Sequence, residues 1–296
     1  MGTNTRCSAT FNEPLPGTAK TGGVYVLFEH LQGWGRDVLD GVAFGPDVTA
    51  DLKAFLRKHN AEIQLIRKPG RAMRHKSLRR LYLVFCELGV IETLLVESPT
   101  AILGLDLAGP GRNGAELVEH PLALVCTHGK RDMCCALRGR PVAAAMQTCF
   151  FGDEIWECSH AKGHRFAPSM LLFPWGYSYG RLNAPAAIDM LKSACFGEMF
   201  LPGNRGRGVF DERGQVAEIA VAEMLVDAAE RLAPGTLMVV PDGEEARIVG
   251  HPDGRRWRVH LQQLEYSGII PSCGDDATTR KGWVVHKIES LGEHGE

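Results

Sequence analysis

Two short stretches hold the side chains of this chain best suited to chemistry. VCTHGKRDMCCAL, residues 125–137, carries Cys126, His128, Cys134 and Cys135, and WECSHAKGHRF, residues 156–166, carries Cys158, His160 and His164. Thiolate sulfur and imidazole nitrogen are the donors that soft and borderline metals prefer. Eight residues separate Cys126 from Cys135. Cys134 and Cys135 are adjacent at the start of an expected helix. Side chains there diverge by about 100°, so the two should not face one metal together. His160 and His164 flank Ala-Lys-Gly, where Gly163 lets the backbone approach closely. Two thiolates and two imidazoles suit a tetrahedral Zn²⁺. They also suit a [2Fe–2S] cluster with Cys on one iron and His on the other. The long gap between the cysteines leans toward the cluster, which is larger than one ion. Spacing alone leaves both occupants open, and Cys134 or Cys158 as substitute ligands.

The elements around these stretches bring them together. PLALVC (121–126) reads as a buried strand, THGKRDM (127–133) as a loop and 134–149 as mostly helical, with Gly139 and Pro141 expected to break it or start it anew. DEIWECSH (153–160) reads as a strand, AKGHRFAP (161–168) as a loop, 169–182 as a hairpin turning at PWG, and 184–195 as a helix. The first part of the chain has the same order. GGVYVLFEH (22–30) is a strand, followed by a Gly-punctuated loop, a helix over 47–60, and strands at 61–68, 81–88 and 91–97. FEHLQGWGRD and CTHGKRDMC both follow a buried strand, and each contains Gly and Arg-Asp. We infer an internal duplication whose first copy lacks metal-type residues at the matching places.

NRGRGVFDERG (204–214) reads as a polar linker, and 215–233 as an amphipathic helix. Short strands with Asp-Gly turns follow, making a small α+β module in which no chemistry is legible. Cys273, in PSCGDD, reads as a loop thiol. Three regions result: 1–115, 116–208 and 209–296.

Composition bounds the rest. The chain has 296 residues, 45% hydrophobic and 23% charged, enough for two domains with sizeable cores. A net charge of -2 gives no basic field for nucleic acid. No apolar run reaches the ~20 residues of a membrane span, and the N-terminal stretch lacks the apolar segment of a secretory signal. The expected location is cytoplasmic, where nine cysteines point to metal or redox chemistry rather than disulfides. GPGRNG (109–114) matches a dinucleotide fingerprint, but no long helix or distant acidic residue follows, so it reads as a turn-rich connection. The basic stretch 67–80 reads as a solvated loop.

At this point the motifs resemble a family. CTHGKRDMCC followed by HAKGHRFAPSMLLFPWGYSYGRL is similar to the sucrase/ferredoxin-like family, and EPLPGTA, HLQGWGRD and SCG resemble its bacterial members more loosely. The resemblance implies tandem thioredoxin-like ferredoxin-type domains, the first degenerate. It implies a [2Fe–2S] cluster on Cys126, Cys135, His160 and His164, the His-ligated branch of the family, and an electron carrier working with donor and acceptor proteins of unknown identity. Zn²⁺ in a Cys₂His₂ binding module stays the alternative occupant, and thiol oxidoreduction through Cys134 or Cys135 a third reading. An active dithiol is normally C-x-x-C, however, and these cysteines are adjacent. Lys130, Arg131, Lys162 and Arg165 form a positive rim for an acidic partner, with an Arg131–Asp132 loop salt bridge as the plainer reading. Tandem halves could mimic a dimer and leave the chain a monomer. "Sucrase" in the family name suggests glycoside hydrolysis. That needs two facing carboxylates, and no motif supplies them, so no glycosidase activity is expected.

Overall fold

Strand β1, Val24–Glu29, is buried along five of its six positions. That is the signature of a strand covered on both faces. Helix α1, Pro46–Lys58, opens on a proline in its first turn and buries Thr49, Leu52 and Leu56, one stripe at helical spacing. Strand β2, Ala61–Arg67, returns parallel to β1. Strands β3, Arg79–Phe85, and β4, Val90–Val96, add on antiparallel. These elements come from the computed structural model of the chain, which describes residues 6–10, 12–70 and 77–293.

The second region repeats the order. After the two-residue strand β5, Glu116–Leu117, come β6, Leu122–Cys126, helix α2, Met133–Gln147, and β7, Ile155–Cys158, parallel to β6. Strands β8, Ser169–Phe173, and β9, Tyr177–Gly180, run antiparallel, and helix α3 spans Ala184–Cys195. The two halves join where β2 meets β7 antiparallel, Ile66 opposite Cys158 and Arg67 opposite Glu157. With strand β10, Asn204–Arg207, the result is one ten-stranded sheet in the order β10-β9-β8-β6-β7-β2-β1-β3-β4-β5. Alternation along the strands divides the core. Val26 and Phe28 pack under α1, and Ala123 and Val125 under α2 and α3. Tyr25, Leu27, Leu124, Cys126, Trp156 and Cys158 share a cluster that crosses the junction.

Two sequence expectations need correction. Residues 204–207 are an edge strand with every position buried, not part of a linker. Arg205 is 1% exposed. Its guanidinium donates to the Thr18 carbonyl, to Thr18 Oγ1 at 3.1 Å and to the Lys162 carbonyl at 3.2 Å. Those acceptors come from remote segments, so composition alone hides the burial. Helix α2 also runs unbroken through Gly139 and Pro141. Pro141 lies on its exposed face, where the carbonyl it leaves without a donor can meet water. Gly139 lies against the Cys126 carbonyl, where any Cβ would collide. It is a close-packing glycine that seats the helix on the end of β6.

After β10 come a helix and a four-stranded antiparallel sheet, and the helix starts and ends earlier than the expected 215–233. Helix α4, Glu212–Asp227, is capped by Asp211, whose side chain accepts from the Gly214 N–H at 2.7 Å. It packs through Val216, Val221 and Leu225 on a four-stranded antiparallel sheet: β11, Met238–Pro241; β12, Ala246–Gly250; β13, Arg255–Ile269; and β14, Thr278–Glu293. Glu218 of α4 instead faces β9, where Tyr177 Oη donates to it at 2.7 Å. Residues 109–114 form turns ahead of β5, with no helix following. In the basic stretch, 71–76 lie outside the described residues. Arg67 pairs with Glu157, and Lys68 and Arg80 both pair with Asp153.

Gly139→Ala should cost about 1–3 kcal/mol by overpacking, read as a lower urea midpoint; an unchanged midpoint would show that α2 is not seated by this contact. Burial raises the Glu218 carboxyl from 4.5 to about 7. A group raised on folding contributes stability below its unfolded value, and the contribution is lost as pH rises through the folded one. Over that window the loss is about 3 kcal/mol at ~1.4 kcal/mol per pH unit. Glu218→Gln should therefore lose less stability than the parent between pH 5 and pH 8, measured by urea unfolding at both.

Candidate metal centre

The C-terminal end of β6 presents Cys126, and the first turn of α2 presents Cys135. The segment after β7 presents His160. One donor atom from each lies within 4.8 Å of the other two, and all three residues are buried. Cys135 Sγ stands 3.9 Å from His160 Nδ1. A hydrogen bond from the Cys135 thiol, helped by His160, pulls the Cys126 thiol well below its ordinary value despite full burial. The same bond pushes Cys135 up.

His164 stands one step outside. Its Nδ1 lies 3.4 Å from His160 Nε2, and the rings are 5.1 Å apart. Its Nε2 lies 2.6 Å from the Pro271 carbonyl and 2.9 Å from Ser272 Oγ. A carbonyl only accepts, so Nε2 carries the proton and Nδ1 presents a lone pair inward. Burial lowers the His164 pKa, which favours this neutral form. Fixing the tautomer through the outer nitrogen is how proteins prepare a histidine ligand. Gly163 makes the loop possible: its φ of +79° is left-handed, and a Cβ would strike the Arg205 guanidinium. Of the four expected ligands, three therefore converge, and the fourth flanks His160.

Cys158 is fully buried beside Cys126, in register on the neighbouring strand, but is not one of the converging donors. His128 is a strut. The His160 N–H donates to His128 Nδ1 at 3.1 Å, so Nε2 holds the proton and donates to the Gly35 carbonyl at 2.7 Å. Trp34 meets the His128 ring edge-on at 5.6 Å. Gly35 and Trp34 belong to the loop after β1, so the first half of the sheet supplies one wall of the site.

Sequence reasoning missed two contributors. The β13–β14 loop brings Pro271 and Ser272 against His164, and Cys273 against Asp132. Cys273 is no isolated thiol: its backbone N–H donates to Asp132 Oδ2 at 3.0 Å. Asp132 caps α2 through the Cys134 N–H at 2.8 Å. Burial alone would raise its carboxyl, but the Cys273 and Cys134 N–H groups outweigh that and hold it low. The only early signals were an Asp ahead of a helix and an SCG tripeptide.

The positive rim is smaller than expected. Arg165 is taken up by Glu13 through a bidentate pair, with one arm at 2.9 Å. Arg131 lies 3.8 Å from Asp37 rather than pairing with Asp132. Lys130 and Lys162 remain exposed.

All nine cysteines are free thiols. Among the described residues no helix is long and apolar enough to cross a membrane. None of the curated proteins or solved structures compared matches the chain. A family model does, that of the sucrase/ferredoxin-like proteins, over residues 15–204. That stretch holds Cys126, Cys135, His160 and His164 and most of the ten-stranded sheet, and it is more than half of the sequence: the chain belongs to the sucrase/ferredoxin-like family.

Proposed function

We propose that this protein is an electron carrier with a [2Fe–2S] cluster held by Cys126, Cys135, His160 and His164, built on two tandem thioredoxin-like domains of which the first has lost its ligands. The observation that carries the reading is the convergence of Cys126, Cys135 and His160 within 4.8 Å, with His164 Nδ1 3.4 Å from His160 Nε2. The donor chemistry fits, since two sulfurs and two imidazoles are the set such a cluster takes in its mixed-ligand form. The free thiols suit a reducing compartment, and we place the protein in the cytoplasm.

When bound, the cluster would supply one-electron storage, at a higher potential than with four thiolates because neutral imidazole brings no negative charge. The chain's own residues do the rest. Cys126 and Cys135 lie in a core that excludes water. His128 anchors the His160 backbone to the first half. His164 holds its proton on Nε2 against the Pro271 carbonyl, at the edge of the site, where it can leave when positive charge builds up inside. This ties electron transfer to proton release. Lys130 and Lys162 offer an acidic partner two exposed cations beside the site.

One observation favours a second occupant. Donors within 4.8 Å of one another suit a single ion, and Zn²⁺ would then make the site a structural one. Protein purified without air decides between them. About two irons and two acid-labile sulfides per chain with a red-brown spectrum are expected. A colourless protein with zinc on these ligands would overturn electron transfer.

The potential should fall with rising pH by up to about 59 mV per unit above the His164 transition, one proton accompanying each electron. His160→Cys and His164→Cys should each lower the potential, and the double variant should flatten this slope. A slope that survives in the double variant would place the proton elsewhere.

A further inference from the structure

Cys134 turns away from Cys135, as adjacent residues on a helix must, and it does not turn into empty packing. It joins Cys7, Asp132 and Cys273, and one donor atom of each of the four lies within 4.8 Å of all the others. Three separate parts of the chain meet here: the N-terminal segment, the start of α2 and the β13–β14 loop. Cys134 Sγ lies 3.2 Å from Cys273 Sγ, which lies 3.6 Å from Cys7 Sγ. Asp132 Oδ1 stands 3.2 Å from Cys273 Sγ and 3.7 Å from Cys7 Sγ. Bonds of ~2.3 Å to sulfur and ~2.0 Å to oxygen give a tetrahedron with edges of roughly 3.5–3.8 Å. The group is already close to that shape. Its sulfurs are too far apart for a disulfide, whose bond is ~2.05 Å.

Apolar packing explains the buried thiols of Cys7 and Cys134 but not why a carboxylate, itself held by the Cys134 and Cys273 N–H groups, stands 3.2 Å from the half-buried Cys273 Sγ. Cys7, Cys134 and Asp132 are 0%, 0% and 5% exposed. A buried carboxylate is costly unless hydrogen-bonded or bound to a metal. Soft thiolates with one oxygen and no open position describe a closed, structural zinc site.

We infer that Cys7, Cys134, Cys273 and Asp132 form a second metal site, a structural Zn²⁺ centre distinct from the Cys126–Cys135–His160–His164 group. Each thiol gives up its proton to solvent on ligation. The ion would clamp the N-terminal segment and the β13–β14 loop onto the start of α2. That loop carries the Pro271 carbonyl and Ser272 hydroxyl that hold His164 Nε2. The zinc would thus fix the outer wall of the first site while taking no part in its chemistry.

The test is zinc analysis of the purified full chain, with X-ray absorption at the zinc edge, which does not see iron. About one zinc per chain is expected, with a shell of three sulfurs near 2.3 Å and one light atom. Cys7→Ser and Cys273→Ser should each lower zinc retention at least tenfold under a chelator. Absorption of the unaltered protein keeps the test valid if a variant fails to fold. Three results would overturn the proposal. One is zinc-free protein from zinc-replete cells. Another is an anaerobic intact mass two hydrogens light, from a Cys134–Cys273 disulfide. The third is zinc in a shell with imidazole that Cys126→Ser removes and Cys273→Ser does not. That last result would also make the first site the zinc site, so the failures of the two readings are told apart.

Discussion

One buried carboxylate ties this structure together. Asp132 accepts from the Cys134 N–H and so starts α2. Through Oδ2 it accepts from the Cys273 N–H and so holds the β13–β14 loop. The same oxygen lies 3.9 Å from His164 Nε2. Helix start, C-terminal loop and outer histidine therefore share one anchor. A carboxylate at a helix N-terminus also meets the positive end of the helix dipole, which helps keep it charged where burial would neutralise it. Without it the first turn of α2 loses its cap and Cys135 loses its fixed direction toward Cys126.

The join between the two halves of the ten-stranded sheet has a physical use beyond sheet size. Joining β2 to β7 covers two edges that would otherwise expose unpaired backbone groups. It also brings the loop after β1 over the loop after β6. That is why Gly35 and Trp34, far away in sequence, contact His128. Without them His128 Nε2 would lack the Gly35 carbonyl, and the His160 backbone would be held by a ring free to turn. The first half of the sheet thus sets the geometry around His160.

Local signals carried far in the sequence. The order strand, helix, strand, hairpin was readable twice because apolar runs and helix stripes are local properties. The Cys and His residues gathered in two short stretches were readable for the same reason. Contacts between remote segments were not. Arg205 sits in a stretch rich in Gly and charge, and its burial depends on carbonyls of Thr18 and Lys162. Gly139 looked like a helix breaker because nothing local reveals the Cys126 carbonyl against it. Cys273 looked like a stray thiol because its partners are 139 and 266 residues away in sequence.

The adjacent pair Cys134-Cys135 shows how one local rule reaches further than it first seems. Helical geometry says the two sulfurs must part, and that was used only to drop one of them from a shared ion. The same divergence means that two neighbouring residues can serve two separate groups of donors on either side of one helix start. Cys135 faces the core between the halves, and Cys134 faces Cys7 and the β13–β14 loop. The helix turn then links the two groups, since one stretch of backbone carries both sulfurs. A disturbance at the Cys7–Cys273 side would pass to Cys135 through α2 and to His164 through the Pro271 carbonyl. The C-terminal module, outside the span of the family match, is in this way built into the wall of the site.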